Sequence, residues 1–158
     1  MPRIALRKVK TADKEHFARW WRDRDLLRLT SGVLRRATDE EVDGYFKNIL
    51  ENEEDHHFVI TSGGKAIGHL SLAKRRNGWH ETQIVIGEKG YRGKGYGSKA
   101  IKLLLQRARR LNISKIYLEV RPDNARAIRA YERCGFRKVR TVLHPKNKRL
   151  PKTERMEL

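Results

Sequence analysis

The chain has 158 residues, the size of one ordinary domain. Hydrophobic residues make up 38% and fall in short periodic runs, so one modest core is expected; no stretch approaches the roughly 18 apolar residues of a membrane span. Its 37 Lys and Arg against 19 Asp and Glu give a formal charge of +18, which favours polyanions (RNA, ribosomes, acidic proteins, phosphorylated cofactors) without selecting among them.

Met1-Pro2-Arg3-Ile4 lacks the apolar segment of a secretory signal. A single cysteine, Cys134, excludes an internal disulfide and a cysteine metal site. The expected compartment is the cytoplasm. Ile4 and Leu6 suggest a first strand. Thr11-Ala12-Asp13 offers a cap for a helix whose apolar face carries Phe17, Trp20 and Trp21 and which runs to about Leu29, broken by Ser31-Gly32. Thr38, followed three residues later by Glu41, forms a capping box that opens a second helix through Val42, Phe46 and Ile49. Phe58–Ile60 and Ala66–Leu72 read as strands joined by Gly63-Gly64. Asn77-Gly78 turns the chain into a further strand, Thr82–Ile86. A glycine-rich segment then leads to a helix through Ala100, Leu104 and Ala108. Ile113–Val120 reads as a buried strand. Asn124 caps a helix stopped by Gly135. Phe136–Leu143 is a late strand, and after His144 a basic tail ends in a short strand at Met156–Leu158. The pattern is mixed α/β: an antiparallel meander, then a β-α-β-α-β half.

Arg92-Gly93-Lys94-Gly95-Tyr96-Gly97 lies between a strand and a helix. Glycines let the backbone approach an anion and adopt positive φ. The next helix start points unpaired N–H groups at the same place, and Arg92 and Lys94 add charge. The segment is a pyrophosphate cradle. It is not a nucleoside-triphosphatase loop: Glu88 stands where that loop's first glycine belongs and Gly95 where its Ser/Thr belongs. It fits the dinucleotide fingerprint poorly, because Ser98 replaces the third glycine and several strands precede it.

The hexamer does match Arg/Gln-x-x-Gly-x-Gly/Ala. The segment Asn124-Ala125-Arg126-Ala127-Ile128-Arg129-Ala130-Tyr131-Glu132-Arg133-Cys134-Gly135-Phe136 matches Asn-x-x-Ala-x-x-x-Tyr-x-x-x-Gly-Phe. In this order and context the two resemble the Gcn5-related N-acetyltransferase (GNAT) superfamily over about residues 3 to 143, with the ribosomal-protein and small-amine branch nearest in look. The resemblance implies one domain spanning residues 1–158. Its sheet is mostly antiparallel, with six to seven strands, a parallel wedge between the fourth and fifth, and about four flanking helices. It implies acetyl-CoA as cosubstrate and no metal. The pyrophosphate would lie on the backbone of Arg92, Gly93, Lys94, Gly95, Tyr96 and Gly97, and the pantetheine arm along Ile84, Val85 and Ile86. A lysine-like amine arrives protonated and needs a base. The resemblance gives that role to Glu81 and the role of general acid to the leaving thiolate to Tyr131. Asn124 fits both a pantetheine contact and a helix cap.

Cys134 reads as core and not as an acyl-cysteine nucleophile. His56-His57 is a poor metal pair, because adjacent strand residues face opposite ways. The acids Asp39, Glu40, Glu41, Asp43, Glu51, Glu53, Glu54 and Asp55 cluster where the superfamily walls its acceptor cleft. They suit a cation and equally a solvated helix face. The expected acceptor is a protein N-terminus or a lysine, with the enzyme held on a ribosome or RNA through basic clusters such as Lys74-Arg75-Arg76 and the tail Lys146–Lys152. A polyamine or aminoglycoside acceptor is the alternative, and an RNA-binding module without catalysis is a third reading. Monomer and homodimer both remain open.

Overall fold

The computed structural model describes residues 2–31 and 34–158, so Gly32 of the expected helix break lies outside the described residues. Seven strands form one sheet: β1 (Ile4–Lys8), β2 (His56–Ser62), β3 (Lys65–Lys74), β4 (Trp79–Ile86), β5 (Lys115–Val120), β6 (Arg137–Leu143) and β7 (Lys152–Glu157). Their spatial order is β1-β2-β3-β4-β5-β7-β6. Every neighbouring pair is antiparallel except β4 and β5.

The two faces of the sheet carry separate cores. One face packs against α4 (Tyr96–Arg110) and α5 (Ala125–Arg133) through Ile60, Leu70, Ile101, Leu104, Ile116, Leu118 and Phe136. The other packs against α1 (Lys14–Trp21), α2 (Arg24–Leu29) and α3 (Asp39–Glu51) through Phe17, Trp20, Leu26, Phe46 and Val59. The strand period of two sends alternate residues to the two cores. Thus Val85 joins the α1–α3 side while Ile84 and Ile86 pack toward α4.

Two expectations change in detail. The helix expected to run on to Leu29 is two helices. Asp23 takes an extended conformation (φ −78°, ψ 112°) and caps α2, accepting from the Leu26 N–H at 3.2 Å. The final strand is six residues long, not three, and inserts between β5 and β6. Only Met156 among Lys152–Glu157 is apolar and fully buried. Its neighbours are held by polar pairs, such as Thr141 Oγ1–H to Glu154 Oε2 at 3.0 Å and Lys138 to Glu154 at 3.1 Å. A strand built this way leaves no hydrophobic period in the sequence. The capping box at α3 is present as read: Thr38 N–H donates to Glu41 Oε1 at 3.0 Å and Glu41 N–H to Thr38 Oγ1 at 3.1 Å.

Candidate active site

The site begins where two strands part. β4 and β5 pair only at Trp79↔Lys115, His80↔Ile116 and Glu81↔Tyr117. Beyond that both strands continue, to Ile86 and Val120, without pairing to each other. Backbone direction follows from two bonds. Arg75 N–H donates to Trp79 O at 2.8 Å, and Gly87 N–H to Ile67 O at 2.8 Å. Odd-numbered residues of β4 therefore turn their amides toward β3, and even-numbered ones toward β5. The C=O of Thr82 and the N–H and C=O groups of Ile84 and Ile86 line the opening, the Thr82 N–H being taken up by the last parallel pair, Glu81↔Tyr117. Val85 does not: its amide faces β3, opposite His69, and its side chain enters the α1–α3 core. Of the three residues assigned to the pantetheine arm, Val85 supports the strand and only Ile84 and Ile86 border the gap.

The glycine turn sits against this gap. A Cβ on Gly97 would lie 3.9 Å from Ile86 Cγ1 and 4.0 Å from Ile84 Cδ1. Gly93 (φ +70°) and Gly95 (φ +87°) hold the left-handed conformations that curl successive N–H groups inward. Helix α4 follows from Tyr96, and the N–H groups of its first turn have no intrahelical acceptor. Tyr96 contributes backbone alone, since its ring is buried in an edge contact with Tyr91. Lys94 is exposed.

The Arg92 side chain is already engaged. Its Nε–H donates to Ile86 O at 2.9 Å, and its Nη2 donates to Gly87 O at 2.6 Å and Asp23 Oδ2 at 2.8 Å. Arg92 thus ties the turn to the end of β4 and to the α1–α2 corner. A cation absent from the sequence-based set stands nearer the nest: Arg126, whose Nη1 is 2.8 Å from where a Cβ on Gly93 would be. Only the chain reversal between β5 and α5 brings them together.

Helix α5 crosses behind β5. Asn124 caps it, accepting from the Ala127 N–H at 3.3 Å. Tyr131 packs against the α4-side core with its ring 6.2 Å from Phe136. Burial, with a smaller effect of Cys134, pushes its hydroxyl up to about 12, so it stays protonated at neutral pH. The Cys134 thiol faces Ser98 O at 3.6 Å, and burial raises its pKa, in keeping with a core role.

On the α1–α3 face the opening is bordered by Glu81, Gln83, Tyr117 and Glu119 by strand alternation. Glu81 Oε1 accepts from Arg75 Nε at 3.1 Å and Nη2 at 2.8 Å. Arg75 thus forms an ion pair with the residue expected as base. Glu157 is matched in the same way by Arg155 at 2.8 Å, and that guanidinium lies 3.7 Å over the Tyr117 ring. Glu119 differs. Its Oε1 accepts from Thr153 Oγ1–H at 2.5 Å and lies 3.1 Å from His144 Nε2, and among the described residues no Lys or Arg forms an ion pair with it. The sequence signal for Glu119 was a charged residue inside the apolar run Ile116–Val120, on the face opposite Ile116, Leu118 and Val120.

Half of the acidic cluster is internally held. Asp39 pairs with Arg22 at 2.6 Å, Glu41 with Arg35 at 2.8 Å, and Asp43 with Lys14. Asp55 accepts from Lys74 N–H at 2.9 Å. Among the described residues no group of three or more His, Cys, Asp and Glu converges as metal donors, and no helix is long and apolar enough to cross a membrane.

The profile of the family described as acetyltransferase (GNAT) domain matches residues 3–137. The chain belongs to the GNAT family. It is an acetyl-CoA-dependent N-acetyltransferase, and the parted strands with the glycine nest are the features that fit that donor. An aminoglycoside N(6')-acetyltransferase type 1 of Klebsiella pneumoniae is 26% identical over 147 residues, covering 84% of this chain and 69% of the relative. A spermidine N(1)-acetyltransferase of Vibrio cholerae is 35% identical over 102 residues, 62% of this chain and 58% of that one. The crystal structure of a V. cholerae spermidine N-acetyltransferase with CoA and spermine superposes with a TM-score of 0.85 at 23% identity, over 98% of this chain and 94% of that one.

Proposed function

We propose that this GNAT enzyme acetylates a primary amine of a small polycation, of the polyamine or aminoglycoside class, by direct attack on acetyl-CoA. This replaces the protein N-terminus or lysine expected from sequence. The relatives just described, which are named for aminoglycosides and spermidine, support the change.

The observation that carries the mechanism is Glu119, a carboxylate at the opening whose partners are a hydroxyl and an imidazole. The acceptor ammonium, with an ordinary pKa near 10.4, gives a proton to Glu119. The neutral nitrogen attacks the thioester carbon while an N–H of β4, from Ile84 or Ile86, hydrogen-bonds the carbonyl oxygen. As the C–S bond breaks, the Tyr131 hydroxyl donates to sulfur, and the nitrogen's second proton restores the balance. Glu119 is favoured over Glu81 because Glu81 already carries an ion pair with Arg75, whereas the partners of Glu119 are a hydroxyl and an imidazole. Acetyl-CoA and its acceptor would meet in the cytoplasm.

The test is free-thiol release from acetyl-CoA with spermidine, spermine, kanamycin and basic peptides, using wild type, Glu119→Gln and Tyr131→Phe. Turnover with the small polycations is expected, and Glu119→Gln should lower kcat about 100-fold or more. Turnover with peptides alone would return the acceptor to protein amines. Absence of turnover, with no thermal stabilisation by acetyl-CoA, would sink the reading.

The basic surface favours a second, compatible role. Lys74, Arg76, Arg109, Arg110 and Lys115 are all exposed. They meet at the end of the sheet away from the glycine turn, where Lys115 Nζ donates to Asn77 O at 2.9 Å. This end suits a polyanion such as RNA. Steeply salt-dependent RNA binding that Arg76→Glu with Arg110→Glu abolishes would support it. Such binding without thioester turnover would favour a non-catalytic module instead.

A further inference from the structure

We propose that Thr153 and His144 are positioning residues for Glu119, so that the basic tail is part of the catalytic apparatus. The proposal rests on Glu119 being the proton acceptor. It starts from the insertion of β7 beside β5. Glu119 is the cross-strand partner of Arg155, which puts Thr153 on the neighbouring diagonal of the same face. Val142 on β6 is the partner of Thr153, so His144, two residues further, shares that face.

The loop that carries His144 is tied down at several points. His144 N–H donates to Pro151 O at 2.7 Å, extending the β6–β7 ladder. Asn147 Oδ1 accepts from Arg149 N–H at 3.1 Å and Leu150 N–H at 3.0 Å. Arg121 Nη1, just past β5, donates to Arg149 O at 3.3 Å. The loop therefore belongs to the end of β5 where the opening lies.

The hydrogens follow from the partners. A carboxylate oxygen only accepts, so the single Thr153 O–H, 97% buried with its residue, goes to Glu119 Oε1 at 2.5 Å. The Thr153 oxygen is then an acceptor toward His144 Nε2 at 3.1 Å, and Glu119 Oε1 is an acceptor toward it at 3.1 Å. Both neighbours of Nε2 accept, which assigns its hydrogen to Nε2 and leaves Nδ1 as the open nitrogen. Both donated bonds end on Oε1. Oε2 is left for the incoming ammonium, and the carboxylate plane is fixed before the acceptor arrives. Arranging a base in this way contributes to the rate and not to ground-state affinity.

The experiment pairs each disruptive variant with a conservative one. Thr153→Val keeps the shape and removes the donor; Thr153→Ser keeps the donor. His144→Ala removes the Nε2–H, and His144→Gln offers an amide N–H in its place. With acetyl-CoA and spermine, Thr153→Val and His144→Ala should each lower kcat about tenfold or more with KM for acetyl-CoA within about twofold. Thr153→Ser and His144→Gln should recover most of it. Long-range ¹H–¹⁵N spectra of the full chain should show His144 as the Nε2–H tautomer in wild type and a tautomer mixture in Glu119→Gln. Wild-type kcat in folded Thr153→Val, beside an inactive Glu119→Gln, overturns the positioning role and leaves Glu119 as base. Undiminished kcat in Glu119→Gln overturns the reading of Glu119 itself. A tautomer mixture already present in wild type removes the hydrogen-bond assignment whatever the kinetics.

Discussion

Arg92 opens the glycine signature, and by resemblance its charge would serve the donor's pyrophosphate. The structure gives its side chain three acceptors inside the protein instead: Ile86 O, Gly87 O and Asp23 Oδ2. Burial works against the charged form of Asp23, yet the bonds from Arg92 and the Leu26 N–H outweigh it and hold the carboxyl below its usual value. Arg92→Ala therefore strands a half-buried carboxylate and two carbonyls. A hydrogen bond to a charged group is worth about 1.5–3 kcal/mol, and loss of one partner of a buried pair costs about 3–5 kcal/mol. The side chains are 14% and 29% exposed, so the low end applies, about 3 kcal/mol. For a domain of this length that lowers Tm by roughly 6–12 °C. The assay is thermal unfolding of the protein without acetyl-CoA, followed by the shift that acetyl-CoA adds. Arg92→Lys keeps the charge but cannot span three acceptors, and should recover less than half of the loss. An unliganded Tm within about 2 °C of wild type in Arg92→Ala, with the acetyl-CoA shift abolished, would refute this reasoning and make Arg92 a phosphate ligand.

Three further outcomes are expected. His69 is pressed edge-on against Phe17 at 4.8 Å and shares a hydrogen with His57 at 3.0 Å; burial first, then the His57 charge, lowers its pKa from 6.5 to about 3. The folded state thus binds fewer protons than the unfolded one between those values. The stability it supports is whole above pH 6.5 and falls by about 1.4 kcal/mol per pH unit on acidification through the window. Urea midpoints from pH 7 to 4.5 should show this slope, and His69→Phe should flatten it; an unchanged slope would count against it. Gly93→Ala faces both φ +70° and the Arg126 Nη1 at 2.8 Å, so acetyl-CoA affinity measured by calorimetry should fall about tenfold or more, with Tm falling by only a few degrees. Gly87→Ala puts a methyl 2.3 Å from the Trp20 ring and should cost about 3 kcal/mol of stability by urea unfolding, with loss of the Trp20 environment seen in its fluorescence.

Much of this was readable before the structure, for physical reasons. The capping box, the glycine hairpins and the amphipathic α4 are short-range patterns, and each lies where it was read. The break of the first helix carries only one local signal, the Asp23 cap, and its second support is remote: Arg92, sixty-nine residues away, binds the other Asp23 oxygen. β7 was underestimated because polar pairs hold it. The donor turn was legible, as its backbone chemistry is written in glycines, but the destination of the Arg92 side chain was not. The partners of the strand glutamates were the hardest to foresee. Glu81 and Glu119 both lie on strands and face α1–α3, and nothing local separates them. Their surroundings differ through remote contacts: Arg75 from the preceding hairpin for one, Thr153 and His144 from the far end of the chain for the other.

The same partners explain how the donor and acceptor sides are joined. Gly87 and Glu88 both donate to Ile67 O, at 2.8 and 3.0 Å, ending β4 in a bulge. Trp20 of α1 covers Gly87 so closely that no side chain fits between them, and Arg92 binds the Gly87 carbonyl and α2's cap at once. One short stretch, residues 86 to 92, thus holds the end of the parted strand, the start of the glycine turn and the corner between α1 and α2. The β4 side of the opening is held by Arg92 and the β5 side by the tail hairpin that reaches Glu119. The glycine motif and the C-terminal strand, far apart in sequence, therefore hold the two strands that part.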